Sequence, residues 1–196
     1  MSETLSVSGP ESRYAGGFLR IDLDALRQNY AALAKVRQAL LANEVFVAVA
    51  RPREFVKLLV SRYAPGMTYG THVDDALMTG RRTDLSFTLF LSDPADYAGG
   101  DLVIEDTLED RSIRLPAGEI ILYPSSTLHR VEPVTRGARL AVVGWVRSFV
   151  RAPTHREVLF DLELALRDVF DRDGKSPLFD RLAKTRTNLL RMWADD

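Results

Sequence analysis

The chain has 196 residues, 46% apolar and 27% charged, with 26 basic against 27 acidic side chains. That balance suits a single globular domain with a real core and gives no reason to expect nucleic acid or an anionic membrane as a partner. Zero cysteines exclude disulfides and thiolate metal sites, no apolar run approaches the ~18–20 residues that span a bilayer, and the polar start "MSETLSVSGPESRYAGG" lacks the regions of a secretory signal, so a cytoplasmic protein is expected.

Residues 1–17, rich in Ser, Gly, Glu and Pro, are expected to be a flexible tail. From Ile21 to about Leu41, apolar residues recur at helical spacing, with Leu26, Tyr30, Leu33, Val36 or Arg37, and Leu40 on or near one stripe, the pattern of a helix buried on one side. "EVFVAVARP" then turns β-branched and short, ending at a proline. The middle of the chain reads as strands. "REFVKLLVSRY" runs into a turn at Pro65-Gly66, and "DLSFTLFLSD" alternates Leu85, Phe87, Leu89 and Leu91 with Ser86 and Thr88, the pattern of a half-buried strand. "DPADYAGG" is turn chemistry, "DLVIED" a short strand, "LPAGEIILYP" a turn and then a strand, and "ARLAVVGWVRSFV" a long strand. Short strands punctuated by Gly and Pro argue for a sandwich or barrel. After Pro153 the period returns to helical, with Val158, Leu162, Ala165 or Leu166, and Val169 on one face; "RDGKSP" breaks it and "LFDRLAKTRTNLLRMWADD" begins another helix. The expected class is mainly β with flanking helices (α+β).

His72 and Asp74 stand two apart, and in an extended segment such side chains point the same way. Asp75 then faces elsewhere. Of the two other histidines, His129 sits between a turn and a strand, 55 residues beyond Asp74, and is the better third ligand; His155 opens a charged helix and is read as an exposed helix-start residue. Two imidazoles and one carboxylate form the facial triad of non-haem Fe(II) oxygenases, which leaves adjacent positions open. Zinc also accepts such a set but does not cycle its redox state. Ten residues after His129, Arg139 opens the strand whose face continues through Ala141, Val143 and Trp145. A fixed guanidinium there suits the far carboxylate of a dicarboxylic acid.

This arrangement resembles the Fe(II)/2-oxoglutarate-dependent dioxygenases. "RYAPGMTYGTHVDDALM", "TDLSFTLFLSDPADYAGGDLVIED", "LPAGEIILYPSSTLHRVEPVTRGARLAVVGWVRS" and "LFDLELAL" resemble the bacterial PKHD-type hydroxylases, relatives of the prolyl 4-hydroxylase catalytic domain, over roughly residues 50–170. The resemblance implies a double-stranded β-helix (jelly-roll) core over residues 51–150, preceded by a tail and helix over 1–50 and followed by helices over 151–196 packed on the core. It implies Fe(II) held by His72, Asp74 and His129, 2-oxoglutarate held by Arg139 with Tyr63 nearby, and L-ascorbate as a helper that keeps iron reduced. The implied reaction uses O2, turns 2-oxoglutarate into succinate and CO2, and hydroxylates a C–H of a small-molecule or peptidyl substrate, a prolyl residue among the candidates. Retention of Asp74 favours hydroxylation, since halogenating relatives carry a small residue there. Residues 1–45 do not match the family's N-terminal region.

The remaining features have plainer readings. Arg81-Arg82 reads as a solvated loop, Gly99-Gly100 as a tight turn, and Trp145 as either core or pocket wall. The C-terminal stripes read as packing against the core, with a homodimer contact as the alternative. A zinc-dependent hydrolase using the same three ligands and a non-catalytic jelly-roll binding protein are the competing functions.

Overall fold

The computed structural model describes residues 23–106 and 108–195; expectations for the tail and for the helix before Leu23 lie outside them. Residues before Leu40 form one unit, which among the described residues is the body of helix α1 (Leu23–Ala42). The second unit begins at Leu40 and holds everything that follows. No helix among the described residues is long and apolar enough to cross a membrane.

The β-branched stretch after α1 is a helix, α2 (Glu44–Ala50). Its start explains why. The Asn43 side chain accepts from the Phe46 N–H at 2.8 Å, and Glu44 lies in the first turn, where the helix dipole favours an acid. Burial then outweighs β propensity: Phe46 stacks on Phe55 at 5.9 Å and meets Phe87 edge-on at 6.1 Å.

Among the described residues twelve strands follow: β1 (Pro52–Tyr63), β2 (Tyr69–His72), β3 (Leu77–Met78), β4 (Arg81–Arg82), β5 (Leu85–Phe90), β6 (Ala98–Gly99), β7 (Leu102–Ile104), β8 (Arg111–Ile113), β9 (Ile120–Pro124), β10 (His129–Val131), β11 (Val134–Arg136) and β12 (Arg139–Ser148). Eight of them form two antiparallel four-stranded sheets, ordered β1-β12-β5-β9 and β2-β10-β7-β8. Along the chain the path crosses between the sheets at nearly every step, only β7 and β8 sharing one. This winding is the double-stranded β-helix.

The four-strand rows of the first sheet fix what faces inward. Cross-strand partners place Tyr63 beside Arg139, then Leu59, Val143, Thr88 and Ile121 in one row, then Lys57, Trp145, Ser86 and Tyr123 in another. The opposite face carries Leu58, Phe87 and Leu122 around Gly144, together with Phe55 and Phe46. Strand β5 is therefore buried on both faces, which corrects the half-buried reading: its polar face, Ser86 and Thr88, looks into the molecule. Between the sheets Phe90, Leu102, Tyr123 and Val131 form a core cluster.

Helices α3 (Pro153–Asp173) and α4 (Pro177–Trp193) are separated at Gly174, and Ser176 caps α4 by accepting from the Phe179 N–H at 3.2 Å. The buried stripe of α3 runs through Leu159, Leu166 and Val169, with Leu162 half-buried, as expected except at its start, where Leu159 takes the place of the exposed Val158. His155 is not fully exposed; its ring stacks on Trp193 at 4.1 Å.

Arg82 is also not a solvated loop residue. It lies in β4, donates from Nε to Asp84 Oδ1 at 2.7 Å and from Nη1 to Asp195 Oδ2 at 2.8 Å, and reaches the Ser148 carbonyl at 3.3 Å. These bonds to two carboxylates push its pKa up and hold the Asp195 carboxyl below its ordinary range. Replacing Arg82 by Met leaves buried Asp84 without its cation and should lower unfolding free energy by about 3 kcal/mol in denaturant melts near neutral pH. Because the Asp195 pKa is depressed in the fold, its share of stability is present above the ordinary value of 3.8 and lost as pH falls through the depressed one. Acid melts of the wild type should show that loss, and Arg82→Met should flatten it.

Candidate metal centre and anion pocket

Histidines 57 residues apart in sequence meet because of strand register. His129 of β10 is the cross-strand partner of His72 at the end of β2, and their ring centroids lie 4.2 Å apart. Each ring is oriented from behind. His72 Nδ1 lies 2.9 Å from the Gly70 carbonyl, and His129 Nδ1 lies 2.9 Å from the Thr127 carbonyl. A carbonyl only accepts, so both Nδ1 atoms carry a proton, and in the neutral ring Nε2 is the nitrogen that presents a lone pair. Burial pushes the His129 pKa down, against the opposing pull of the Thr127 carbonyl and Asp74, which favours the neutral ring.

Asp74 follows β2 in irregular chain, and its carboxylate is almost wholly buried. Oδ1 stands 3.9 Å from His72 Nε2 and Oδ2 stands 3.8 Å from His129 Nε2. One ligand atom from each of the three residues lies within 4.8 Å of the others. The donor set fits a divalent first-row metal: two imidazole lone pairs and a carboxylate converge, and each imidazole has the backbone partner that metal-binding histidines use to set their tautomer.

The three residues border a cavity of about 440 Å³ that also reaches Arg139, Tyr63, Thr88, Tyr123 and Trp145. Arg139 is 1% exposed, and its Nε and Nη2 have no hydrogen-bond partner among the described residues. Its guanidinium lies 5.7 Å from the Tyr63 ring centroid and 5.2 Å from that of Phe90. Burial pushes its pKa down, yet an arginine stays protonated at neutral pH. Gly100, at φ 69°, makes room here: a Cβ would come within 3.2 Å of the Arg139 Cδ and 2.8 Å of a Val134 methyl. Buried charge without a counter-ion is strongly unfavourable, so the pocket is built for an anion to complete it.

All five residues singled out in the sequence border this one cavity, and Trp145 forms part of its wall. Sequence reasoning passed over Ser86, Thr88, Ser125 and Tyr123. Ser86 donates to Asp74 Oδ2 at 2.5 Å and lies 2.8 Å from the Ser125 hydroxyl. Tyr123 meets the His129 ring at 5.0 Å, and its phenol, pushed up by burial, is hydrogen-bonded with Thr88. The alternation of "LSFTLF" did place Ser86 and Thr88 together; only the second sheet reveals that their side is the interior.

A family model described as the 2OG-Fe(II) oxygenase superfamily matches residues 58–147, and one described as the PKHD-type hydroxylase C-terminal domain matches residues 154–195. A PKHD-type hydroxylase of Maricaulis maris is 55% identical over 163 residues, covering 83% of this chain and 74% of that protein. Another, from Synechococcus elongatus, is 57% identical over 164 residues, covering 82% and 74%. A crystal structure of a prolyl-4-hydroxylase of Pseudomonas putida is 27% identical with a TM-score of 0.45, covering 60% of this chain and 65% of that one.

The unpaired guanidinium makes a prediction about stability alone. Arg139→Met keeps the volume and removes the buried charge, so the ligand-free variant should be more stable than wild type by about 1–4 kcal/mol in denaturant melts.

Proposed function

The chain belongs to the PKHD-type hydroxylases of the 2OG-Fe(II) oxygenase superfamily, and from that premise we propose that His72, Asp74 and His129 hold its Fe(II) while Arg139 anchors 2-oxoglutarate. The observation that carries this reading is the buried guanidinium, two of its nitrogens without a hydrogen-bond partner, in the same cavity as the three convergent candidate ligands. A cation alone would suit many anions, and a His-His-Asp cluster alone would suit zinc. Together they match a chelating keto acid with a second carboxylate. The C-terminal helices over 151–196 and the core over 51–150 then divide the work: the core carries the chemistry, and the helices brace it.

The net reaction proposed is R–H + O2 + 2-oxoglutarate → R–OH + succinate + CO2. Bound Fe(II) and 2-oxoglutarate together supply the O2-reducing chemistry that inserts oxygen into the substrate C–H. This chain's side chains do the rest. Arg139 binds and orients the distal carboxylate with charged hydrogen bonds, and the Tyr63 ring beside it holds the guanidinium in place. The Gly70 and Thr127 carbonyls hold both imidazoles in the tautomer that offers Nε2. Leu59, Leu102, Val131 and Val143 line the cavity with apolar surface and limit water. Ascorbate is proposed as the reductant that restores Fe(II) after turnover without substrate. The substrate is a small molecule or a peptidyl group, prolyl peptides included.

The test is anaerobic reconstitution with Fe(II) and 2-oxoglutarate, followed by oxygen and a substrate screen read as succinate. Wild type should consume oxygen and form succinate, and Asp74→Ala should form none. Arg139→Ala should raise the 2-oxoglutarate requirement by roughly 10- to 150-fold, the equivalent of about 1.5–3 kcal/mol of charged hydrogen bonding. Wild-type turnover in both variants would refute these roles.

A further inference from the structure

Asp74 stands apart from its two partners in how it is held. His72 and His129 are neighbours in one sheet, fixed by ladder register and by the carbonyls of Gly70 and Thr127. Asp74 lies in irregular chain beyond β2, with no ladder to place it. Its carboxylate is nonetheless among the least exposed groups of the site, and the contact that holds it comes from the opposite sheet. Ser86, near the start of β5 and 2% exposed, donates its hydroxyl proton to Asp74 Oδ2 at 2.5 Å.

The proton count then fixes the next link. An ionised carboxylate only accepts, so the single Ser86 proton is committed to Asp74. The 2.8 Å contact between the Ser86 and Ser125 hydroxyls must therefore run the other way, Ser125 donating to Ser86. Ser125 is itself buried, just past β9, and its backbone N–H donates to the Asp84 carbonyl at 3.2 Å. Two hydroxyls in series, each polarised by the one behind it, end on one oxygen of the acid.

We propose that Ser86, backed by Ser125, is a positioning device for the metal-binding carboxylate: it clamps Asp74 Oδ2 to the first sheet, so that Asp74 is presented to the metal through a fixed orientation rather than a free one. This rests on the reading of His72, Asp74 and His129 as the metal site. The clamp occupies acceptor capacity on one oxygen and blocks rotation of the carboxylate, which keeps the acid from wrapping both oxygens around the ion and closing a position needed by the co-substrate or O2. Ser86 borders the cavity, and the role given to both serines is exerted through the Asp74 carboxylate. The two sheets thus each contribute to the site: one by strand register, the other by this hydroxyl pair.

The experiment is a Mn(II) titration of the full chain by electron paramagnetic resonance, with the visible bands of the Co(II) form as a second readout. Ser86→Ala removes only an oxygen, and loss of such an outer partner is expected to weaken metal binding roughly 10- to 100-fold. The Co(II) bands should change as the freed carboxylate alters its mode of coordination. Ser86→Thr, which keeps the hydroxyl, should restore most of the affinity and the wild-type bands, and Ser125→Ala should show a smaller loss in the same direction. A purely structural role would lower thermal stability without moving the Co(II) bands, and Thr would not differ from Ala in metal affinity; either result overturns the clamp. So does Ser86→Ala binding Mn(II) as tightly as wild type, or more tightly. A wild-type protein that takes up no Mn(II), or a His129→Ala variant that takes it up equally well, overturns the metal-site reading beneath it and the clamp with it.

Discussion

The pairing of His72 with His129 is the constraint on which everything else in the cavity depends. Side chains two residues apart in sequence can share a target in any extended segment, but a partner 57 residues away must be delivered by the fold. The β2–β10 ladder is short and carries an irregularity between its two paired positions, so the ladder alone holds the register weakly. The missing restraint comes from just upstream. Thr68 donates its hydroxyl to the Val131 carbonyl at 2.6 Å, Gly66 N–H donates to the Val134 carbonyl at 2.8 Å, and Val134 N–H donates back to the Met67 carbonyl at 3.0 Å. A slip by one residue would turn one imidazole out of the cavity and break this set. The Pro65-Gly66 turn, with Gly66 at φ 86°, starts β2 in the right phase.

Arg139 shows the opposite logic, a local choice that opposes stability. Its strand pairs Tyr63 with it across the sheet, so the guanidinium is flanked by rings and by the chain at Gly100, and its Nε and Nη2 bond to no acid among the described residues. A carboxylate from the protein in that place would satisfy the charge and abolish the pocket. Leaving two donors unmatched concentrates electrostatic attraction where a ligand can collect it. The neighbouring arginines are treated differently. Arg114 donates to Asp101 at 2.5 Å, and Arg130 reaches Glu132 at 2.7 Å and Asp110 at 2.9 Å.

Much of this was legible in the sequence for specific reasons. The candidate ligands include two of the three histidines in the chain, and their spacing survives any error in strand boundaries. The strands β1, β5, β9 and β12 were readable because alternation and Pro or Gly stops coincide. What escaped was whatever depends on two segments meeting. Alternation shows that Ser86 and Thr88 share a face but cannot say whether water or a second sheet lies beyond it. Val158 looked like a core residue because helical stripes one position apart overlap in a sequence rich in apolar residues, and only contact with the neighbouring elements chooses Leu159. The stretch at 44–50 was ambiguous by composition and was decided by a single capping side chain, Asn43, and by the pocket that Phe46 fills. Arg82 looked solvated because its partner Asp195 lies 113 residues away.

That last contact ties the helical end of the chain to the cavity. The β3–β4 hairpin follows Asp74 directly, and Met78 of β3 borders the cavity. Arg82, in the returning strand, is bonded both to Asp84 at the entry to β5 and to Asp195 at the end of the chain. Asp195 is in turn fixed by its own N–H to the Phe149 carbonyl at 2.9 Å and by Arg53 Nη1, which donates to its carbonyl at 3.2 Å. Behind it, α3 and α4 are joined by Phe170 against Phe179 at 5.3 Å, by Arg186 with Glu163, and by the His155–Trp193 stack. Through Arg82 the segment that follows α4 is tied to the hairpin that leads away from Asp74, whose carboxylate accepts from Ser86 of the first sheet. The loop carrying Asp74 is restrained at both its ends, by β2 register before it and by the Arg82 clasp after it, and this lets a residue without regular secondary structure occupy a fixed position in the site.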